Sequence, residues 1–96
     1  MENKLLPLGS VVLLKGGEKK LFIGGYGISN EDKKVFDYIG YPYPEGFMTP
    51  KVNFLFDNDS IDKVLFNGYK DEEFDEVEKN IIEYINKNRG WYYESK

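Results

Sequence analysis

The chain has 96 residues, 41% of them apolar, enough for one domain with a real core but little margin. It contains no Cys and no His, which removes disulfides, thiolate and imidazole metal sites, cysteine nucleophiles and imidazole bases together. Its net charge of −4 lies wholly in residues 71–96, because residues 1–70 carry nine basic and nine acidic side chains; nucleic acid is therefore not an expected partner.

Taken in chain order, MENKLLPLGSVVLL lacks a signal peptide's order of positive end, apolar run and small-residue cleavage site. No run reaches 18 apolar residues, so no membrane span is expected, and a cytoplasmic location follows. LGSVVLL (8–14) and KKLFIG (19–24) are apolar, β-branched runs flanking Gly16 and Gly17, which predicts a β-hairpin. The glycines at 24, 25 and 27 are expected to break regularity, and SNEDKK (29–34) to form a polar loop. VFDYIGY (35–41) predicts a third strand. PYPEG ends it as a stiff corner, since Pro42 and Pro44 bias Tyr41 and Tyr43 to extended backbone.

VNFLF (52–56) reads as a short extended segment. In DNDSID (57–62), Asp and Ser are expected to cap a turn. VLFNGY (64–69) predicts a last strand, with Asn67 and Gly68 at its exit. The following DEEFDEVEKNIIEYINKN (71–88) carries Phe74, Val77, Ile81 and Ile85 at helical spacing, widened by Ile82 and Tyr84. Acidic residues open this helix, Lys87 and Arg89 close it, and Gly90 is placed as its C-cap. An aromatic tail, 89–96, follows. The whole chain is one domain, strand-rich over 5–70.

The predicted fold is α+β: a small antiparallel sheet of four or five strands with the C-terminal amphipathic helix packed on one face. An SH3-like barrel with an added helix is the variant. Phe74, Val77, Ile81 and Ile85 are expected to meet Val12, Leu14, Phe22, Ile39 or Phe66.

Motifs with chemical meaning are few. Counted from Asp57, the EF-hand ligand positions fall on Ile61, Asp62 and Gly68, so calcium chemistry fails. GGYGIS has Asn30 where a nucleotide-binding loop needs its third glycine, and the Gly16-Gly17-Glu18-Lys19 stretch lacks the Ser/Thr of a P-loop. Glu45, Asp37 and Tyr43 are the remaining candidates for acid–base work, with no titratable partner evident beside Glu45. No enzyme activity, cofactor or metal is expected. Aromatic residues make up 17% of the chain and eight are Tyr. Most suit a sheet, but Tyr41, Tyr43, Trp91, Tyr92 and Tyr93 sit at a corner and in a tail. These are the candidate protein-binding residues, given the preference of interfaces for Tyr and Trp.

LLPLGSVVLLKGG (5–17), DYIGYPYPEG (37–46), FLFDNDSIDKVLFNGY (54–69) and DEEF (71–74), in that order, resemble the small Gram-positive proteins grouped as domain of unknown function 4176. The resemblance covers about residues 5–75. It implies an accessory protein of type VII secretion whose partner is an LXG toxin or another secretion component. Such a protein would act as a chaperone or targeting factor, or else as an immunity protein against the toxin's catalytic domain. The resembling blocks describe strands and turns and carry no active site over.

Overall fold

The computed structural model describes residues 4–94, and the side chains of residues 4–89. Five strands, β1 (Val11–Leu14), β2 (Leu21–Ser29), β3 (Val35–Pro42), β4 (Phe54–Phe56) and β5 (Ile61–Phe66), precede one helix, α1 (Glu72–Glu94). All neighbouring strands are antiparallel, in the spatial order β4-β3-β2-β1-β5. This is the expected α+β architecture, with the full five strands.

Successive strands β4 and β5 lie at opposite edges, joined only by residues 57–60, which include a 3-10 turn at Asn58–Ser60. A flat five-stranded sheet sets its edges about 19 Å apart, while a 3-10 turn rises only about 2 Å per residue. So short a link requires the sheet to curl. Register shifts between Ile23 and Gly25 in β2, and at two places along β1–β5, supply the local twist that a curled sheet needs.

The inner face holds the core: Leu5, Val12, Leu21, Ile23, Tyr38 and Phe56, with Leu6, Leu14, Tyr26, Ile61, Phe74, Ile81 and Ile82 packed around them. β2 runs straight through its glycines instead of ending there. The bulge at Gly24 and Gly25 shifts its alternation, so Tyr26 faces inward opposite Tyr38. Simple period-two counting from Ile23 would turn Tyr26 outward.

Helix α1 starts where Asp71 Oδ1 accepts the Phe74 N–H at 3.0 Å, an N-cap bond. Ile85 is buried, and Phe74 and Ile81 pack on the core as expected, but Val77 is 47% exposed. Val12 and Leu14 belong to the same core cluster, but the sheet strands that α1 packs on are chiefly β2 and β3. Phe22, Ile39 and Phe66 are outside that cluster; they belong to the opposite face. The hairpin register pairs Val12 with Leu21 and Val11 with Phe22, so Phe22 must point away from the face that buries Val12. The helix also passes its expected end at 88 and continues through Gly90 to Glu94. One interior glycine costs about 1 kcal/mol relative to Ala, which by itself does not stop a helix. The side chains of Trp91, Tyr92 and Tyr93 lie outside the described residues.

A polar cluster ties the helix, the N-terminal segment and the β4–β5 link together. Arg89 Nη2 donates to Asp37 Oδ1 and Asp57 Oδ1, each at 3.0 Å, and to the Val35 carbonyl at 2.9 Å. Asp57 therefore does not cap the 3-10 turn with its side chain; the cation of Arg89 and the Asp37 N–H take its carboxylate instead. The Tyr38 hydroxyl donates to Asn58 Oδ1 and accepts the Leu6 N–H, while the Tyr26 hydroxyl donates to the Leu6 carbonyl. Buried Glu78 of α1 accepts the Leu5 N–H at 2.7 Å. The hydroxyl, carboxylate and amide groups named here all have partners, whereas the buried Nε of Arg89 has none among the described residues.

Candidate protein-binding surface

Directly opposed residues of an antiparallel pair share a face. The registers Phe66↔Val11, Val11↔Phe22 and Phe22↔Tyr41 therefore lay one apolar row across four strands of the outer face, the face without the helix. The Phe22 and Tyr41 rings stack tilted at 5.7 Å, and Phe47 meets Tyr41 edge-on at 5.4 Å. Tyr41 lies over Gly24, where an added Cβ would come within 2.6 Å of the ring. Glycine at 24 is thus what lets the aromatic ring cross the strand.

A second row runs beside the first. Leu13 pairs with Lys63, and the Tyr43 N–H is accepted by the Lys20 carbonyl at 2.8 Å. Lys20 Nζ sits 6.0 Å from the Tyr43 ring centre, in cation–π range. Among the described residues, neither Lys20 nor Lys63 has a carboxylate within ion-pair distance. The outer face thus joins an apolar row to a row bearing two unneutralised lysines.

The YPYPEG corner stands between two grooves. Its turn closes with the Gly46 N–H donating to the Pro42 carbonyl at 2.7 Å, and Gly46 takes φ +79°, a backbone region that glycine enters freely. On one side Gly9, Val11, Lys20, Phe22, Tyr43, Leu65 and Phe66 line a groove of about 540 Å³. On the other, Pro42, Met48, Val52 and Phe54 line one of about 410 Å³, rimmed by the Lys19–Glu45 ion pair at 2.8 Å. Tyr43, Phe47, Met48 and Phe66 all project into solvent around these grooves, Met48 at 74% exposure. So many large apolar side chains around one corner exceed the scattered single exposures usual on a surface.

Of the candidate binding residues, Tyr41 is half-buried in the aromatic row and Tyr43 lines the first groove; Trp91 and Tyr92 lie outside the described side chains. Val11, Phe22, Leu65, Phe66, Phe47 and Met48 join the surface with no local sequence signal to mark them for it. Their exposure depends on which strand face the helix covers, and that is a tertiary fact. The two carboxylate candidates for acid–base work are both engaged by cations. Lys19 holds Glu45 below its ordinary pKa by hydrogen bond and charge, and Arg89 grips Asp37. Among the described residues, no three acidic side chains gather as a metal site, and no helix is long and apolar enough to cross a membrane.

The family model described as Domain of unknown function (DUF4176) matches residues 5–77. That span takes in all five strands and both grooves and stops within the second turn of α1. No curated protein and no solved structure matches the chain.

Proposed function

The chain belongs to the DUF4176 family, and on that premise we propose that it is a non-catalytic, cytoplasmic protein-binding factor, the chaperone or targeting partner of an LXG-type toxin of type VII secretion. The observation that carries the binding role is the outer-face row Phe66–Val11–Phe22–Tyr41 with the apolar groove beside it. Apolar, aromatic-rich area of this kind is stabilised when a partner removes it from water, at roughly 25 cal/mol per Å². The helix already covers the inner face, so the outer face is the one left for a partner. The identity of that partner rests on the sequence blocks that resemble the family, not on the geometry.

The test is co-expression with the neighbouring toxin, split into N-terminal and C-terminal halves, and purification on a tag. Capture of the N-terminal half supports an export role, and loss of capture on Tyr43→Ala with Phe66→Ala assigns it to this face. Capture of neither half removes the reading.

A second reading has its own observation. Glu72, Glu73, Asp75, Glu76 and Glu83 are exposed along α1, an acidic surface that would suit a nuclease-like toxin domain as an immunity protein. Capture of the C-terminal half, abolished by high salt, is its expected signature.

A further inference from the structure

We infer that the free edge of β5 accepts an extended segment of the partner as an added antiparallel strand, and that this segment carries a carboxylate close to an apolar side chain. This rests on the reading that the outer face binds protein. β5 pairs with β1 on one side only, and among the described residues nothing pairs with its other side. Natural edge strands are usually blunted by charge, proline or cover. Here Asp62 and Lys63 guard only the first half, and Val64, Leu65 and Phe66 follow at 41%, 46% and 60% exposure. Three consecutive exposed apolar residues leave both faces of that edge open.

The chemistry of the occupant comes from the charges beside the edge. Val12 faces the core and Leu13 the outer side, so Lys63, opposite Leu13, stands on the outer face. The register shift between Val11 and Val12 leaves Leu65 as the extra residue and returns Phe66, opposite Val11, to that same face. A strand laid along β5 would therefore meet a lysine and an aromatic ring side by side. Its own outer-face side chains would pack beside Leu65 and Phe66, the β5 rim of the groove that Lys20 alone lines with charge. Opposite charges facing across strands are favourable and like charges are not, so the complement is a carboxylate against Lys63 and an apolar residue against Phe66. Main-chain bonds to the edge would give affinity and the groove would give selectivity, the division seen in strand addition generally. A second copy of this chain suits the edge less well. Pairing β5 with itself about Asp62 or Lys63 opposes like charges, pairing about Val64 sets Asp62 against Phe66, and pairing about Leu65 joins only the short apolar half of the strand and leaves Lys63 without an opposite charge.

The experiment uses the full chain and three synthetic peptides: an eight-residue alternation of Val and Thr with one Glu, the same with Lys in place of Glu, and the Glu form with a central Pro. Amide hydrogen exchange and NMR shifts are read along β5. The expected result is slowed exchange in 61–66 with the Glu peptide, at least fivefold weaker binding of the Lys peptide, and none of the Pro peptide. Lys63→Glu should reverse the preference between Glu and Lys peptides. Absence of binding, or shifts at Tyr43 and Phe22 without slowed exchange in β5, overturns the strand mode. Concentration-dependent protection of β5 without peptide overturns it in favour of a second copy. If the toxin half is captured through the outer face yet β5 stays unprotected by peptide, the binding role stands and only this mode falls.

Discussion

Arg89 Nη2 lies 3.0 Å from Asp37 Oδ1, across 52 residues of sequence, and fastens the last third of α1 to β3, the strand between β4 and β2. The same guanidinium holds Asp57, whose carboxylate also accepts the Asp37 N–H, while Asp37 Oδ2 accepts the Asn58 N–H. One cation thus joins the helix, β3 and the link that carries the chain from β4 to β5.

Arg89→Ala should therefore destabilise the whole domain and not only fray the helix. Breaking a buried pair costs about 3–5 kcal/mol. With Arg89 one-fifth exposed the expected loss is smaller, about 2 kcal/mol, and solvent screening is the reason. Adding Asp37→Asn and Asp57→Asn to Arg89→Ala should recover part of it, because the two carboxylates then no longer face each other unneutralised. Urea unfolding of these variants beside the unaltered chain gives the answer; an unchanged midpoint in Arg89→Ala would show the clamp to be ornamental.

Stability should fall in alkali through Tyr26 and Tyr38. Burial, which disfavours the phenolate, pushes Tyr38 up to about 12 from an ordinary 10 and Tyr26 still higher. The folded state thus holds these protons more tightly than the unfolded chain. Their contribution is complete below pH 10; that of Tyr38 is lost as pH rises from 10 through 12, and that of Tyr26 over a range that extends further into alkali. Tyr38→Phe leaves the Leu6 N–H without its acceptor and should cost about 1–3 kcal/mol at neutral pH. It should also flatten the decline of melting temperature between pH 10 and 12. A decline as steep as in the unaltered chain would contradict this assignment.

Gly68 should tolerate nothing larger. A Cβ there would stand 2.0 Å from the Leu8 carbonyl oxygen, and the Gly68 N–H donates to the buried Ser10 hydroxyl at 2.9 Å. The obstacle is backbone, so Gly68→Ala is expected to cost about 3 kcal/mol, the upper part of the usual range for overpacking. Gly24→Ala meets only the Tyr41 ring, which can swing aside, and should cost about 1 kcal/mol while disturbing the aromatic row. Thermal melts rank the two, and equal costs would refute the distinction.

Tyr43→Ala with Phe66→Ala should leave folding within about 1 kcal/mol, because both side chains are already about half in water. Partner binding should weaken at least tenfold, and the binding of the unaltered chain should survive high salt if apolar contact dominates. Retention of full affinity in the double variant would move the contact away from this face.

Several elements are legible in the sequence alone. The Gly16–Gly17 hairpin, the strand at 35–42 with its rigid corner and the amphipathic helix each carry a local signal: turn glycines, β-branched runs with proline, and helical spacing. Other features are hidden there because they depend on distant partners. Glycines that look like breakers at 24 and 25 form a bulge, since β3 supplies pairing on that side and the Tyr41 ring fills the space above. Asp57 looks like a capping residue, but a cation arriving from residue 89 outcompetes the local N–H groups.

What the sequence by itself determined was the set of elements, their order and the chemistry available to them: α+β, without thiol or imidazole, aromatic and acidic at one end. Only the tertiary structure decided which strand face became the core. That choice is global, because the bulge, the hairpin register and the seating of α1 together set the orientation of every side chain. It placed Tyr38 inside and Phe22, Tyr43 and Phe66 outside, and so left an aromatic row and the corner beside it exposed on the face opposite the core.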